Sequence, residues 1–269
     1  MRLSSSMACL ALIVLVSSCK KDDDESQDKS PAPLSIEFDN IAGDQNLAMD
    51  GTTEYTNGSG EKFTVTDLRY FISNIEVTGT DGTEFAVPQD SSYFLIKEND
   101  EETHEPVVNV PQGDYNKISF VLGVDSLRST MDISKRTGVL DPGGTTDESM
   151  YWGWNSGYIF FKMEGLSAAA PEDPAGEHKF RYHIGGFGGY STPSINNIKT
   201  IELDLTPGGI VKVRKGRESN IHLMIDITKI FDGANSFKIG DYPTVMFDDF
   251  STKIADNLSG MFRHDHTEN

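Results

Sequence analysis

Apolar and polar residues alternate in short segments along most of the chain, and Gly, Pro, Asn and Asp separate these segments. Leu34, Ile36 and Phe38 are an example, because a period of two places every second side chain on one face of a β-strand. The same signals predict further strands at 63–65, 68–77, 93–96, 115–124, 158–163, 179–184, 199–205, 210–213 and 220–227. Long loops are predicted at 40–62, 97–110, 125–150 and 165–177. This pattern favours an all-β fold, an antiparallel β-sandwich with long loops.

Three local features modify this pattern. Within 68–77 the apolar phase slips at Ser73-Asn74, which predicts a bulge or a bend. The glycine-rich run 185–189 lacks the context of a dinucleotide-binding loop and predicts a turn where backbones approach closely. After Ser251, a suitable N-cap, apolar residues recur at helical spacing, so we expect a short C-terminal helix. Those apolar positions are Ile254, Leu258, Met261 and Phe262.

The N-terminus has the pattern of a secretion signal. An apolar run at 7–16 follows Arg2, and it is about half as long as a bilayer-spanning helix. The small residues before Cys19 resemble a bacterial lipoprotein signal, which implies a signal peptide at 1–18 and lipidation of Cys19 by acyl chains such as palmitate. We therefore expect an outer-membrane lipoprotein of the cell envelope, periplasmic or surface-exposed and held to the lipid bilayer through Cys19. An ordinary secretory signal with a chance Cys is the alternative.

The rest of the chain divides into a tether and one domain. Residues 19–33 form a charged linker ending in Pro, and we expect a single domain at 34–269. The Lys-Lys and acidic residues after Cys19 are similar to surface-export signals of Bacteroidetes lipoproteins, and a generic solvated linker is an equal alternative.

Composition excludes several classes of function. The 269 residues include 42 Asp+Glu against 23 Lys+Arg, a formal charge of −19, which argues against a nucleic-acid partner. Cys9 and Cys19 are the only cysteines, and signal cleavage and lipidation would leave no thiol for catalysis or metal binding. No catalytic motif is present, and we expect no enzyme. Asp125 and Asp141 could pair as carboxylates, but a solvated acid is the more common role in so acidic a chain.

Histidines are the candidate metal ligands. His183 projects from the polar side of the strand 179–184, directly before the glycine-rich run. His222 takes the polar side of 220–227, and His264 and His266 stand near the C-terminus, where they could bind a divalent ion weakly. For each of these a surface histidine is the alternative. We expect His104 and His178 to be exposed in acidic loops.

Both tryptophans belong to one motif, Met150-Tyr151-Trp152-Gly153-Trp154-Asn155-Ser156-Gly157-Tyr158. A spacing of two would place Trp152 and Trp154 on one face if the segment is extended. Core packing is the ordinary role of such aromatics, but the preceding Pro/Gly/Asp-rich loop favours a position at the rim of the sandwich. Together with the nearby Met150 and Tyr158, these aromatic side chains suit redox chemistry or ring stacking.

Several segments together resemble the MbnP-like family, copper-binding proteins that accompany methanobactin systems. They are Leu68-Arg69-Tyr70-Phe71-Ile72-Ser73-Asn74-Ile75, Gly123-Val124-Asp125-Ser126, Thr137-Gly138-Val139-Leu140-Asp141-Pro142, the tryptophan motif, Phe161-Lys162-Met163-Glu164-Gly165 and Tyr182-His183-Ile184-Gly185-Gly186. The resemblance covers residues 34 to 262, and Trp-x-Trp-Asn-Ser-Gly-Tyr is its most specific part.

The resemblance implies copper as the cofactor. In that family copper is bound by histidines and an oxidised tryptophan, kynurenine, which a di-haem, peroxidase-like partner produces. His183 would then be one ligand, and Trp152 or Trp154 would be the oxidised residue. No second histidine stands in a matched segment; His222 is the first candidate, and His264 or His266 could serve if the terminal helix packs under the site.

A second interpretation needs no metal. A surface lipoprotein could bind a glycan or a protein partner through rim aromatics, since exposed rings stack on flat apolar faces. Its candidate residues are Trp152, Trp154, Tyr158 and Tyr190.

Overall fold

A computed structural model describes residues 29–142, 150–153 and 157–269. The predicted signal peptide, Cys19 and Trp154 lie outside the described residues.

Strands dominate the described chain. They are β1 (Pro31–Ala42), β2 (Gln45–Asn46), β3 (Tyr55–Thr56), β4 (Lys62–Gly79), β5 (Glu84–Ala86), β6 (Tyr93–Lys97), β7 (Val107–Pro111), β8 (Gly113–Leu122), β9 (Tyr151–Trp152), β10 (Gly157–Leu166), β11 (Lys179–Gly185), β12 (Lys199–Asp204), β13 (Val211–Val213), β14 (Ser219–Asp226), β15 (Thr244–Val245) and β16 (Phe262–Glu268). The α-helices are α1 (Ser126–Thr130), α2 (Lys229–Asp232) and α3 (Ser251–Leu258).

Two sheets pack face to face. The smaller sheet has the order β16-β14-β1-β2, and β7 also pairs with β1. The larger sheet has the order β12-β8-β4-β10-β11-β15, with β3, β5 and β6 on β4, β13 on β8 and β9 on β10. The predicted all-β sandwich with a helix near the C-terminus is therefore confirmed.

The core lies between the sheets and is built by the predicted alternation. In β14 the residues Ile221, Leu223 and Ile225 are fully buried, whereas His222 between them is only partly buried. In β11 the inward side chains are Tyr182 and its apolar neighbours, so the intervening residues face outward. Each sheet thus has one apolar inner face and one outer face that can carry polar side chains.

We expected an antiparallel sandwich, and most strand pairs are antiparallel, but two pairs are parallel. β1 and β14 pair in parallel, from Leu34 opposite Ser219 to Ile41 opposite Asp226. β11 and β15 also pair in parallel. Alternation shows which residues face inward, but it carries no information on the direction of the neighbouring strand.

Two local predictions hold. The phase slip in β4 is a register shift between Ser73 and Glu76 against β8, and Asn74 has a positive φ of 52°. The glycine-rich run is a close backbone approach, because a Cβ on Gly185 would lie 2.3 Å from the Tyr158 carbonyl oxygen.

The C-terminal prediction needs correction. Ser251 is the first residue of α3 and not its cap; the Asp248 carboxylate accepts the N–H groups of Phe250 and Ser251. The helix ends at Leu258, and Phe262 begins a strand in which it pairs with Ile225. The helical period continues through Phe262 by coincidence, because this ring enters the core from β16.

Candidate metal centre

The described part of the tryptophan motif, residues 150–153 and 157–158, lies on the outer face of the larger sheet, beneath a cover of loops. Trp152 is only 6% exposed, its ring packs edge-on against Phe247, and its Cζ3 would be 2.8 Å from a Cβ on Gly185. Met150 and Tyr158 are buried beside it in a second apolar cluster, and the Tyr158 hydroxyl donates to the Leu140 carbonyl at 2.5 Å. The expectation that Trp152 and Tyr158 form an exposed rim is therefore wrong, because loops close over them.

Tyr190 differs from those two aromatics, since it is 54% exposed. Its ring stands edge-on to Phe187, 5.1 Å between centroids. Of the described aromatics in the proposed stacking platform, only this ring presents a large face to solvent.

Asp125 has a structural role. Its carboxylate accepts the N–H of Arg128 at the start of α1, and the Tyr93 hydroxyl donates to the same carboxylate. This hydrogen bond and burial raise the pKa of Tyr93 to about 12, with burial the larger cause. Asp125 thus caps a helix.

His183 also stands on the outer face of the larger sheet, two residues before Gly185 on the same strand. Its Nε2 lies 2.7 Å from Glu164 Oε1, and Lys162 Nζ lies 3.4 Å from the same oxygen. The hydrogen bond with His183 is the main cause that lowers the pKa of Glu164 to about 2. His183 and Trp152 therefore lie on the same outer face of the larger sheet.

A balanced set of charges surrounds His183. Lys162 also contacts Asp67 at 2.8 Å, and Asp67 accepts a hydrogen bond from Arg69 at 2.7 Å. The carboxylates of Asp67 and Glu164 are thus each shared with a neighbouring cation. These carboxylates already have charged hydrogen-bond partners, so they do not need a metal ion.

The structure does not bring His183 and His222 together. The neighbours of His183 along β11 and those of His222 along β14 all enter the same core, from opposite sheets. The two imidazoles therefore stand on opposite outer surfaces of the sandwich, and the expected pairing of His183 with His222 or with His266 is not present.

A different group of candidate ligands lies on the outer face of the smaller sheet. His222 of β14 is paired with His266 of β16, and their ring centroids are 4.7 Å apart. Asp265 is the extra residue of a bulge, because His266 opposes His222 while His264 opposes Leu223. One ligand atom from each of His222, Asp265 and His266 lies within 4.8 Å of the others.

The same nitrogen of each imidazole faces the Asp265 carboxylate. His222 Nδ1 is 3.5 Å from Asp265 Oδ2, and His266 Nδ1 is 2.9 Å from it. His222 Nδ1 is buried, and among the described residues it has no hydrogen-bond partner. A buried ring nitrogen without a partner is costly, and a metal ion at this point would satisfy it.

The opposite nitrogens face further carboxylates. His222 Nε2 lies 3.8 Å from Glu37 and 3.7 Å from Asp39, both on β1. His266 Nε2 lies 3.7 Å from Glu268. In metal sites the non-ligating imidazole nitrogen is commonly held by a carboxylate, so the residues present fit a metal ion.

Electrostatics at this group favour positive charge. The hydrogen bond with Asp265 is the main cause that raises the pKa of His266, and the same hydrogen bond lowers the pKa of Asp265. One guanidinium, that of Arg263, contacts Asp265 at 3.3 Å. We name His222, Asp265 and His266 together the three-residue centre.

His264 does not join the three-residue centre. It opposes the inward-facing Leu223, and its Nε2 contacts the Thr267 hydroxyl at 2.9 Å. Burial lowers its pKa, which is the behaviour of an imidazole packed at the edge of the core. His104 and His178 hydrogen-bond to backbone carbonyls of Lys97 and Ala170.

Comparison with known proteins places this fold in a family. The family model described as MbnP matches residues 31–247. The chain belongs to the MbnP family. Its structure is similar to that of MbnP from Methylosinus trichosporium, with a TM-score of 0.54 and 15% identity over 81% of this chain and 82% of that chain. No curated protein sequence matches this chain.

The MbnP family match contains part of the three-residue centre. His183, Trp152 and His222 lie inside residues 31–247, whereas Asp265 and His266 follow them. In the described ranges, no helix is both long enough and apolar enough to cross a bilayer.

Sequence reasoning missed Asp265, Glu37 and Asp39 as members of this centre. The alternation of Glu37 and Asp39 with Ile36 and Phe38 does indicate a polar outer face for β1. Nothing in that pattern shows that β14, some 180 residues later, lies beside β1.

Proposed function

We propose that this MbnP family member binds copper in the cell envelope, where a lipid on Cys19 holds it to the membrane, and acts in copper capture or handling. The ligands are Nδ1 of His222, Nδ1 of His266 and the carboxylate of Asp265. Family membership supports the choice of copper, and imidazole is a good copper ligand.

The observation that carries this proposal is the buried Nδ1 of His222, which faces a carboxylate and a second imidazole. The neighbouring strands β14 and β16 hold these groups in register, so little conformational entropy is lost when an ion binds. His266 is 47% exposed on its side chain, which leaves a path for the ion from solvent.

Copper analysis after loading and desalting tests the proposal. We expect about one copper per chain in the parent protein, and loss of it in a variant carrying His222→Ala and His266→Ala. His183→Ala is the matched control, since it removes an imidazole from the other sheet. Loss of copper from His183→Ala with retention in the double variant would overturn the proposed ligands.

Oxidation of a tryptophan is a separate proposal. A di-haem, peroxidase-like partner would convert Trp152 or Trp154 to kynurenine, and the family supports this expectation. Mass spectrometry of the peptide carrying both residues, from cells that contain such a partner, tests it; an unmodified mass would contradict it. Trp152 lies on the opposite sheet from the three-residue centre, so copper binding there does not require the modification.

A further inference from the structure

We propose that a groove beside α1 binds a small organic carboxylate, with the guanidinium of Arg128 as its anchor. The groove is lined by β6 and by the loop that follows α1, and its volume is about 690 Å³. A groove of that volume can hold a ligand of drug-like size. It lies apart from the three-residue centre, because β6 belongs to the larger sheet, so its ligand needs no copper.

Arg128 is buried and only partly satisfied by the protein. It is 8% exposed, and its Nε is a buried donor that has no hydrogen-bond partner among the described residues. Its Nη1 contacts the sulfur of Met131 at 3.5 Å, and a thioether is a weak acceptor. Buried donors without good acceptors are costly, whereas a carboxylate can accept two parallel N–H bonds from one guanidinium.

The third nitrogen of Arg128 has a partner that a ligand can displace. Nη2 donates to one oxygen of Asp90, whose side chain is 87% exposed. An ion pair with so exposed a partner contributes little to stability, so the loss of Asp90 from Nη2 costs little. Nε and Nη2 lie on the same edge of the guanidinium plane, and together they offer the two parallel donors that a carboxylate takes.

The groove combines a second cation with apolar walls. Lys135 also lines it, so two cations face the single carboxylate of Asp90 in a chain whose formal charge is −19. Met131, Val139 and Leu140 supply apolar surface beside the charges. An anion with an apolar body, such as an aromatic carboxylate, matches both parts of the groove, whereas a small hydrated anion matches only the cations.

The donors are held in place before a ligand arrives. The Arg128 guanidinium lies over the Tyr93 ring, 5.0 Å from its centroid, and the Tyr93 hydroxyl donates to Asp125. Beneath the loop, Nε and Nη2 of Arg136 donate to the Met131 carbonyl at 3.0 and 2.8 Å. Binding therefore requires little ordering of side chains at the cationic end.

The test uses the full chain, labelled at its methionine methyl groups for NMR, and two probes of similar shape. 2-Naphthoate carries a carboxylate, and 2-naphthalenemethanol carries a neutral hydroxyl instead. We expect 2-naphthoate to shift the Met131 methyl signal, which the spectrum of Met131→Leu identifies, and to bind about tenfold more tightly than the alcohol or better. Equal affinities for the two probes would overturn the proposal, and so would inorganic phosphate binding more tightly than 2-naphthoate.

Variants with altered cations identify the anchor. Arg128→Lys keeps the charge but removes Nε and the planar fork, so we expect affinity for 2-naphthoate to fall about tenfold. Lys135→Gln, at an exposed position, should weaken binding about threefold. Lys212→Gln is the matched control, because this exposed lysine of β13 lies beside the start of β8, whereas α1 follows the end of β8. Thermal unfolding checks the fold of each variant. Parent affinity in folded Arg128→Lys and Lys135→Gln would overturn the site.

Asp90→Asn distinguishes a binding edge from a merely structural ion pair. Removal of the competing carboxylate should raise the affinity for 2-naphthoate about 3- to 10-fold, because Nε and Nη2 of Arg128 become available together. An unchanged or lower affinity would overturn this edge as the anchor. The His222→Ala/His266→Ala variant should bind 2-naphthoate as the parent does, so loss of copper and loss of this ligand are separate outcomes.

Discussion

The outer faces of the two sheets each present a partly buried histidine among acids, but their charges are arranged differently. Around His183, two carboxylates are shared with Lys162 and Arg69, and the imidazole uses Nε2 for Glu164. Around His222, four carboxylates face two imidazoles, with a single guanidinium at Asp265. The first face is balanced, whereas the second has an excess of negative charge and ring nitrogens that converge.

This difference shows that a histidine beside acidic residues is not by itself a metal ligand. What matters is whether the neighbouring acids already have cations and whether two ring nitrogens point at one place. His183 satisfies neither condition in the described structure, although it stands inside one of the segments that resemble the family. We therefore expect the larger-sheet face to be structural and the smaller-sheet face to be functional.

Removal of the buried indole should have the largest effect on stability. We expect Trp152→Ala to lower the free energy of unfolding by about 3–5 kcal/mol, since it leaves a cavity under Phe247, while copper stoichiometry stays unchanged. Urea unfolding and metal analysis of the same preparation measure both quantities. Tyr190→Ala, at an exposed ring, is the control and should change stability by about 0.5 kcal/mol or less. Loss of copper from folded Trp152→Ala would break the division between the two faces.

Gly185→Ala should have the next largest effect on stability. The added Cβ would meet the Tyr158 carbonyl at 2.3 Å and the Trp152 ring at 2.8 Å, so the strand or the indole must shift. We expect a loss of about 1–3 kcal/mol in the free energy of unfolding. Gly153→Ala is the matched control, because no described atom lies within 4 Å of a Cβ built there. Equal unfolding midpoints for the two variants would contradict the packing described for Trp152.

Glu164→Gln should reveal the hydrogen bond between Glu164 and His183 through the pH dependence of stability. The pKa of Glu164 is lowered to about 2 in the folded protein, so this carboxylate stabilises the fold above its unfolded pKa of 4.5. That contribution is lost as the pH falls from about 5 towards 2, and we expect it to amount to about 1–2 kcal/mol because Glu164 is partly exposed. Urea midpoints at pH 7, 5 and 3 should fall less steeply in the variant. Parallel curves would show that the pair contributes nothing.

Asp265→Asn should have the smallest effect, on the titration of one imidazole. The pKa of His266 is raised mainly by its hydrogen bond with Asp265, so we expect the variant to lower it in metal-free protein. Proton NMR of the His266 ring follows this titration. Glu268→Gln is the control and should lower the same pKa less, since Glu268 contributes less than Asp265. A larger shift in the control would mean that His266 does not face Asp265.

Much of the architecture was predictable from alternation alone. The inward side chains of β1 and β14, the bulge in β4 and the close approach at Gly185 all follow from local pattern and glycine chemistry. The C-terminal segment was not predictable, because Phe262 satisfies both a helical period and the first position of a strand. Its pairing with Ile225 decided between them.

The candidate site shows the same division. That His222 faces away from the core follows from the period of a strand, and that His266 stands beside an acid is visible along the chain. The sequence by itself therefore determined the fold class, the two faces of each strand and the residue types available for a metal. Only the tertiary structure decided which of them meet. Strand neighbours far apart in sequence are chosen by burial of their common apolar face, and the polar groups on the other face are brought together as a consequence.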